Sequence, residues 1–181
     1  MARALLIIDI QRDYFPGGAY PLVEPELAAE AARCVLDAFR ANGEPVIHLQ
    51  HVWDGPEATF MRPGTDGVEI HPLVAPTAGE PVLEKAAPNG FVGTALENEL
   101  RSRGVEEVVA AGMMSSMCVD ATVRAAADLG LSVTVVHDGC AAPDLRFGDV
   151  DVPGASVHAA FMAALADGYA TVVSANELLS A

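Results

Sequence analysis

The stretch VVAAGMMSSMCVDATVRAAADLG, residues 108–130, decides the fold. Its first residues are a continuous apolar run, as in a strand covered on both faces. Gly112 breaks the run, a short turn follows, and from about residue 117 an alanine-rich pattern of helical period continues to 129. A strand feeding directly into a helix is half of a parallel βαβ unit. The turn between them is where open α/β sheets collect ligands. Cys118 stands in that turn.

The same alternation recurs outward in both directions. ALLIID (4–9) reads as the first strand, with a helix over 25–41 that has Pro25 in its first turn and Asn42-Gly43 as a stop. PVIHLQHV (45–52) is the second strand, followed by an irregular Gly- and Pro-rich segment, 53–80. PVLEKA (81–86) is the third. Thr94, with Glu97 three residues on, caps a helix reaching about 103. EEVVAAGM (106–113), LSVTVVHDG (131–139) and ATVVSA (170–175) complete six strands, with helices at 117–129 and 154–167. The expected fold is α/β: one domain over 1–181, a three-layer sandwich with a six-stranded, mainly parallel sheet and helices on both faces.

Bulk properties narrow the function classes. A formal net charge of −15 argues against nucleic acid and anionic membrane surfaces as partners. Cys34, Cys118 and Cys140 are too few and too scattered for a disulfide framework. The N-terminal apolar run is interrupted at Asp9, unlike a signal peptide, and no run nears the roughly 18 apolar residues of a membrane helix. The expectation is a cytoplasmic protein acting on a small molecule. No G-x-G-x-x-G follows the first strand, and neither G-x-x-x-x-G-K-[ST] nor G-x-S-x-G occurs. Dinucleotide, nucleoside-triphosphate and serine-elbow chemistries are therefore unsupported.

Three residues at strand ends carry chemistry. Cys118 falls in the first turn of its helix, where free N–H groups and the helix dipole favour a thiolate. The plainer reading is a small buried hydrophobe. Asp9 closes an apolar strand, where a carboxylate is costly unless paired or solvated. It is either a structural cap or a general base for the thiol. Lys85 ends PVLEKA and is either a surface lysine or the cation that steadies the other two.

At these positions the chain resembles the isochorismatase-like cysteine hydrolases. LLIIDIQRDYF (5–15) is similar to their D-x-Q-x-x-F opening. Residues 83–113 resemble their lysine segment. GMMSSMCVDATVRAAADLG (112–130) is similar to their G-x-x-[TS]-x-x-C-V-x-x-T-x-R motif. The resemblance implies a Cys118/Asp9/Lys85 triad that cleaves the C–N bond of a small amide, carbamoyl compound or lactam through a thioester. A streptothricin-type lactam is one such substrate. It also implies a cis Met113–Met114 peptide, an oxyanion hole from the N–H groups of Met114 and Cys118, and a homo-oligomer, dimer or tetramer. Two alternatives stay open on the same fold: vinyl-ether hydrolysis of isochorismate, and a non-catalytic binding or scaffold protein.

Phe15, Trp53 and Phe91 are expected to line the substrate pocket, with Phe60, Met61 and Met114 nearby. The nicotinamidase branch of the family binds a divalent ion through an aspartate and two histidines. Here His51 and Trp53 stand where that aspartate and the first histidine would be, and His48 and His51 at i, i+3 on a strand face opposite ways. No metal and no other cofactor are expected. His71 and His158 are read as ordinary surface or packed residues.

Overall fold

The computed structural model describes residues 2–180. Six parallel strands form one sheet: β1 (Arg3–Ile8), β2 (Val46–His51), β3 (Val82–Lys85), β4 (Glu107–Met113), β5 (Ser132–Ala141) and, last in the chain, β8 (Thr171–Val173). Their order is β3-β2-β1-β4-β5-β8. The chain steps outward from β1 to β3 and then returns to lay β4 on the other side of β1. The order therefore reverses between β1 and β4, and a crevice opens beyond their carboxyl ends.

Two apolar layers sandwich the sheet. Leu5 and Ile7 of β1 face α1 (Pro25–Ala41), packing with Val35, Leu36 and Phe39. Leu6 and Ile8 face the other way, toward α2 (Leu96–Ser102), α3 (Asp120–Asp128) and α4 (Gly154–Gly168). The alternation along a strand buried on both sides is the period of two that the backbone imposes. The three-layer α/β architecture expected above is the one found. Among the described residues no helix is long and apolar enough to cross a membrane.

Several local expectations are corrected. The helix expected at 117–129 begins with a wide turn over Ser115–Val119, in which Val119 N–H reaches back five residues to Met114 O (3.2 Å). Thr94 does accept the Leu96 N–H (3.1 Å), but Ala95 occupies the cap position, because the Thr94 hydroxyl is also turned back to donate to Gly90 O (2.6 Å). An antiparallel hairpin, β6 (Leu145–Phe147) with β7 (Val150–Val152), lies outside the main sheet. The strand expected at 170–175 stops at Val173 and gives way to α5 (Ala175–Ser180).

The segment between β2 and β3 is irregular, but it is pinned across the end of β1. His71 N–H donates to Ile10 O (2.8 Å) and Arg12 N–H to Glu69 O (3.0 Å). At its far end Glu80 accepts from Arg40 Nε (2.7 Å) and Nη2 (2.8 Å), from Thr77 N–H (2.9 Å), and meets His48 Nε2 at 2.9 Å. Burial alone would raise the Glu80 pKa, but these partners hold it well below the usual carboxylate range. Its contribution is thus complete above the unfolded value of 4.5 and is lost as pH falls toward the folded value. Glu80→Gln is expected to cost about 2–3 kcal/mol at pH 7. The gap to wild type in urea unfolding should narrow as pH drops below about 4.5.

Gly112 is the glycine on which the crevice depends. Its φ is +152°, and a Cβ there would sit 2.0 Å from Ile8 O on the adjacent strand. Backbone alone fits, so β1 and β4 stay paired to their ends. Gly112→Ala is expected to lower stability by roughly 3 kcal/mol or more, measured by denaturant unfolding, and to push Asp9 away from the turn after β4.

Candidate active site

Three strand ends deliver three side chains to the crevice. Asp9 directly follows β1 in a left-handed conformation (φ +49°) that ends the strand. Lys85 is the last residue of β3. Cys118 lies in the wide turn between β4 and α3. Lys85 Nζ is 2.7 Å from Asp9 Oδ2, and neither side chain is exposed. That contact is short but off the hydrogen-bond axis, since neither Asp9 oxygen accepts a well-aligned hydrogen bond from the protein. Carboxylate lone pairs are therefore left unclaimed among the described residues. One ligating atom each of Asp9, His51 and Cys118 lie within 4.8 Å of one another.

Cys118 is 4% exposed. Its burial pushes the thiol pKa strongly up; Asp9 pushes it further and Lys85 pulls it down. This corrects the expectation of a ready thiolate at a helix end: desolvation beside a carboxylate outweighs the local N–H groups. The resting form is a thiol facing a base.

The sulfur opens into a cavity of about 240 Å³. Trp53, Phe60 and Tyr14 form its aromatic wall, with Met114, Met117 and Pro88 closing the other sides and His51 beside the sulfur. Trp53 and Phe60 meet edge to face, ring centroids 5.5 Å apart. The Met113–Met114 peptide is cis.

The model of the isochorismatase domain matches residues 3–177. The chain belongs to the isochorismatase family. Across 99% of both chains it is 49% identical to YddQ, an isochorismatase-family protein of Bacillus subtilis. A crystal structure assigned to an isochorismatase hydrolase of Oleispira antarctica superposes with a TM-score of 0.96 at 46% identity, covering 99% of this chain and 97% of that one. Streptothricin hydrolase of Streptomyces noursei is 37% identical over 79% of this chain but only 51% of its own length. As an isochorismatase-family member the protein is a hydrolase.

Within this isochorismatase-family site two wall expectations fail. Phe15 turns away and stacks on His71, ring centroids 3.8 Å apart, beside a separate cavity of about 660 Å³ that touches none of the three strand-end groups. The single turn Arg12–Tyr14 rotates the chain so that Tyr14 points inward instead. Counting D-x-Q-x-x-F from Asp9 already puts the aromatic position on Tyr14. Phe91 packs in the same apolar layer as Cys118 but away from the cavity, bordering Leu100 and Val105. Met61 is fully buried and borders neither cavity. His71 accepts the Leu73 N–H (3.3 Å), and His158 meets the Ser115 hydroxyl (2.9 Å), so both are packing residues.

A resident divalent ion does not fit these residues. Asp9, His51 and Cys118 are the one set among the described residues with suitable ligand spacing. Lys85 Nζ already contacts two of the three, 2.7 Å from Asp9 and 3.1 Å from His51. A dication there would meet the ammonium at contact distance. The second histidine, His48, is on the other side of the sheet with Glu80.

Gln11, the glutamine of the D-x-Q opening, has a structural task. Its side chain accepts the His51 N–H (2.8 Å) and donates to His51 O (2.9 Å) and Val68 O (2.6 Å). It thereby fastens the end of β2 beside β1 and fixes where His51 stands.

Proposed function

We propose that the protein is a cysteine amidohydrolase acting on a small, uncharged amide, carbamoyl compound or lactam. The observation that carries this is the convergence of Cys118, Asp9 and Lys85 in one buried cluster whose sulfur borders an aromatic cavity. Asp9 takes the thiol proton as the sulfur adds to the carbonyl carbon. The N–H groups of Met114 and Cys118 are assigned to the developing oxyanion. The C–N bond breaks as Asp9 returns the proton to the departing nitrogen, leaving a thioester. Water adds next, Asp9 removes its proton, and the C–S bond breaks to release the acid and restore the thiol. Lys85 pairs with Asp9 and offsets negative charge on the sulfur.

The cavity wall supports a neutral substrate. Among the described residues no lysine, arginine or carboxylate lines it, and Lys85 is buried and already paired with Asp9. A dicarboxylate such as isochorismate would enter without a countercharge, which speaks against the vinyl-ether reaction. A second reading, a cationic streptothricin-type lactam held partly by the protein surface, has in its favour the chain's net charge of −15 and the resemblance to streptothricin hydrolase.

The test is ammonia or amine release across amides, carbamoyl compounds and lactams, with and without iodoacetamide. Cys34 is exposed and will react as well, so a Cys34→Ser protein is used. Turnover should disappear as one alkyl group is added at Cys118. Turnover that survives alkylation of Cys118 would overturn the reading.

A further inference from the structure

We propose that His51 recognises the acyl part of the substrate, donating a hydrogen bond from Nε2 to an acceptor atom carried beyond the scissile carbonyl. This rests on the amidase reading and names what its substrate must contain.

Lys85 fixes the protonation of His51. A lysine ammonium has three N–H donors and no acceptor. Around Nζ stand Asp9 Oδ2 at 2.7 Å, Ala87 O at 3.0 Å and His51 Nδ1 at 3.1 Å. The first two can only accept, and the third must accept as well. A proton on His51 Nδ1 would oppose donor to donor at hydrogen-bond distance. His51 is therefore neutral, and its single ring proton is on Nε2. The electrostatics agree: burial first, and then Lys85, lower the His51 pKa.

The opposite edge of the ring is thereby a donor with nothing to donate to. His51 lines the cavity. Nε2 makes no hydrogen bond within the described residues, yet it is not among their sealed, unpartnered polar atoms. It is open to an incoming molecule. The ring cannot swing to satisfy itself, because Lys85 holds one edge and Gln11 clamps the backbone on both sides. Tyr14 is similar: its hydroxyl has no partner within the described residues and it too lines the cavity. The rest of the wall is aromatic or aliphatic, with no free charge. A rigid, otherwise apolar cavity with fixed donors selects ligands carrying matching acceptors, and desolvation penalises those that leave the donors unpaired. The class implied is a flat, neutral amide bearing a ring nitrogen, ether or carbonyl oxygen as its second polar atom.

The test uses the Cys118→Ala protein, which can bind without consuming ligand. Calorimetric titrations compare benzamide with its three isosteric pyridine carboxamides, which differ from it by one ring nitrogen acceptor. At least one pyridine isomer is expected to bind roughly tenfold tighter than benzamide. His51→Asn is the diagnostic change. Its amide oxygen can still accept from Lys85 in place of Nδ1, but nothing replaces Nε2–H. In Cys118→Ala/His51→Asn the preference should vanish while benzamide affinity stays within about twofold. A purely structural role for His51 would weaken all four ligands alike. Side-chain nitrogen NMR of the wild-type protein should show His51 as the neutral Nε2–H tautomer at pH 7. The proposal is overturned by an Nδ1–H or charged His51, by equal binding of the four amides, by no binding of any, or by a preference that survives His51→Asn. The amidase reading fails separately, if the wild-type enzyme hydrolyses no amide.

Discussion

Cys118→Ala is expected to reduce amide turnover by a factor on the order of 10⁴–10⁶ in kcat and to leave stability within about 1 kcal/mol of wild type. The contrast follows from where the sulfur sits. Cys118 belongs to the core layer under α3, against Val119 and Val123, but its Sγ borders an existing cavity. Deleting it enlarges a space already open and strands no hydrogen-bonded partner within the protein. Nothing beside it can substitute as nucleophile. Cys140 is buried in β5 beside a different cavity, its thiol donating to Val136 O at 3.3 Å and pushed up to about 12 by burial. Cys34 is on the surface. Ser115, next in the turn, is fully buried and its hydroxyl is engaged with Ala141 O and His158. Matched unfolding curves with lost turnover would assign the sulfur to chemistry; an equal loss of both would return it to packing.

What could be read from the chain follows a physical divide. Strands buried on both faces announce themselves as unbroken apolar runs, and ALLII and EVVAAGM did so. The β6–β7 hairpin sends Leu145, Phe147 and Val150 into solvent, so neither burial nor alternation marks it. Helix α5 carried a local signal that went unread: Ser174 and Glu177 form a capping box, with Ser174 N–H donating to Glu177 Oε2 (2.8 Å) and Glu177 N–H to Ser174 Oγ (3.2 Å). Asp9, Lys85 and Cys118 were legible because each is a polar group where a strand runs out, and the switch in strand order decides that such ends meet. The cavity wall was legible only in part: Trp53, Phe60 and Met114 line it, while Phe15 and Phe91 do not. Whether Phe15 or Tyr14 points inward depends on one turn after β1, and whether Phe91 reaches the cavity depends on the course of the chain from β3 to α2. Residue type carries neither fact. The thiol's protonation was misjudged for a related reason: position in a helix is local, while desolvation belongs to the assembled site.

Asp9→Asn and Lys85→Met are expected to cut turnover together while moving thiol reactivity in opposite directions. Asn keeps the shape of the side chain but cannot take a proton, so the loss in kcat should be about 10²–10⁴-fold. Asp9, however, is also what pushes the thiol up, after burial itself, while Lys85 pulls it down. Removing the carboxylate leaves the ammonium with the sulfur as its nearest anionic partner, and the thiolate becomes easier to form. In a Cys34→Ser background, iodoacetamide should therefore alkylate Cys118 faster in Asp9→Asn than in the parent at pH 7–8. Lys85→Met does the reverse. It strands a fully buried carboxylate, which should cost about 3–5 kcal/mol of stability, and leaves the sulfur facing only negative charge, so alkylation slows and its pH midpoint moves up. A general-base role for Asp9 requires this split, because the group that suppresses the resting thiolate is the one that removes the proton when substrate arrives. If both variants lose alkylation along with turnover, Asp9 merely holds the thiol in place, and the base must be sought among the waters of the cavity.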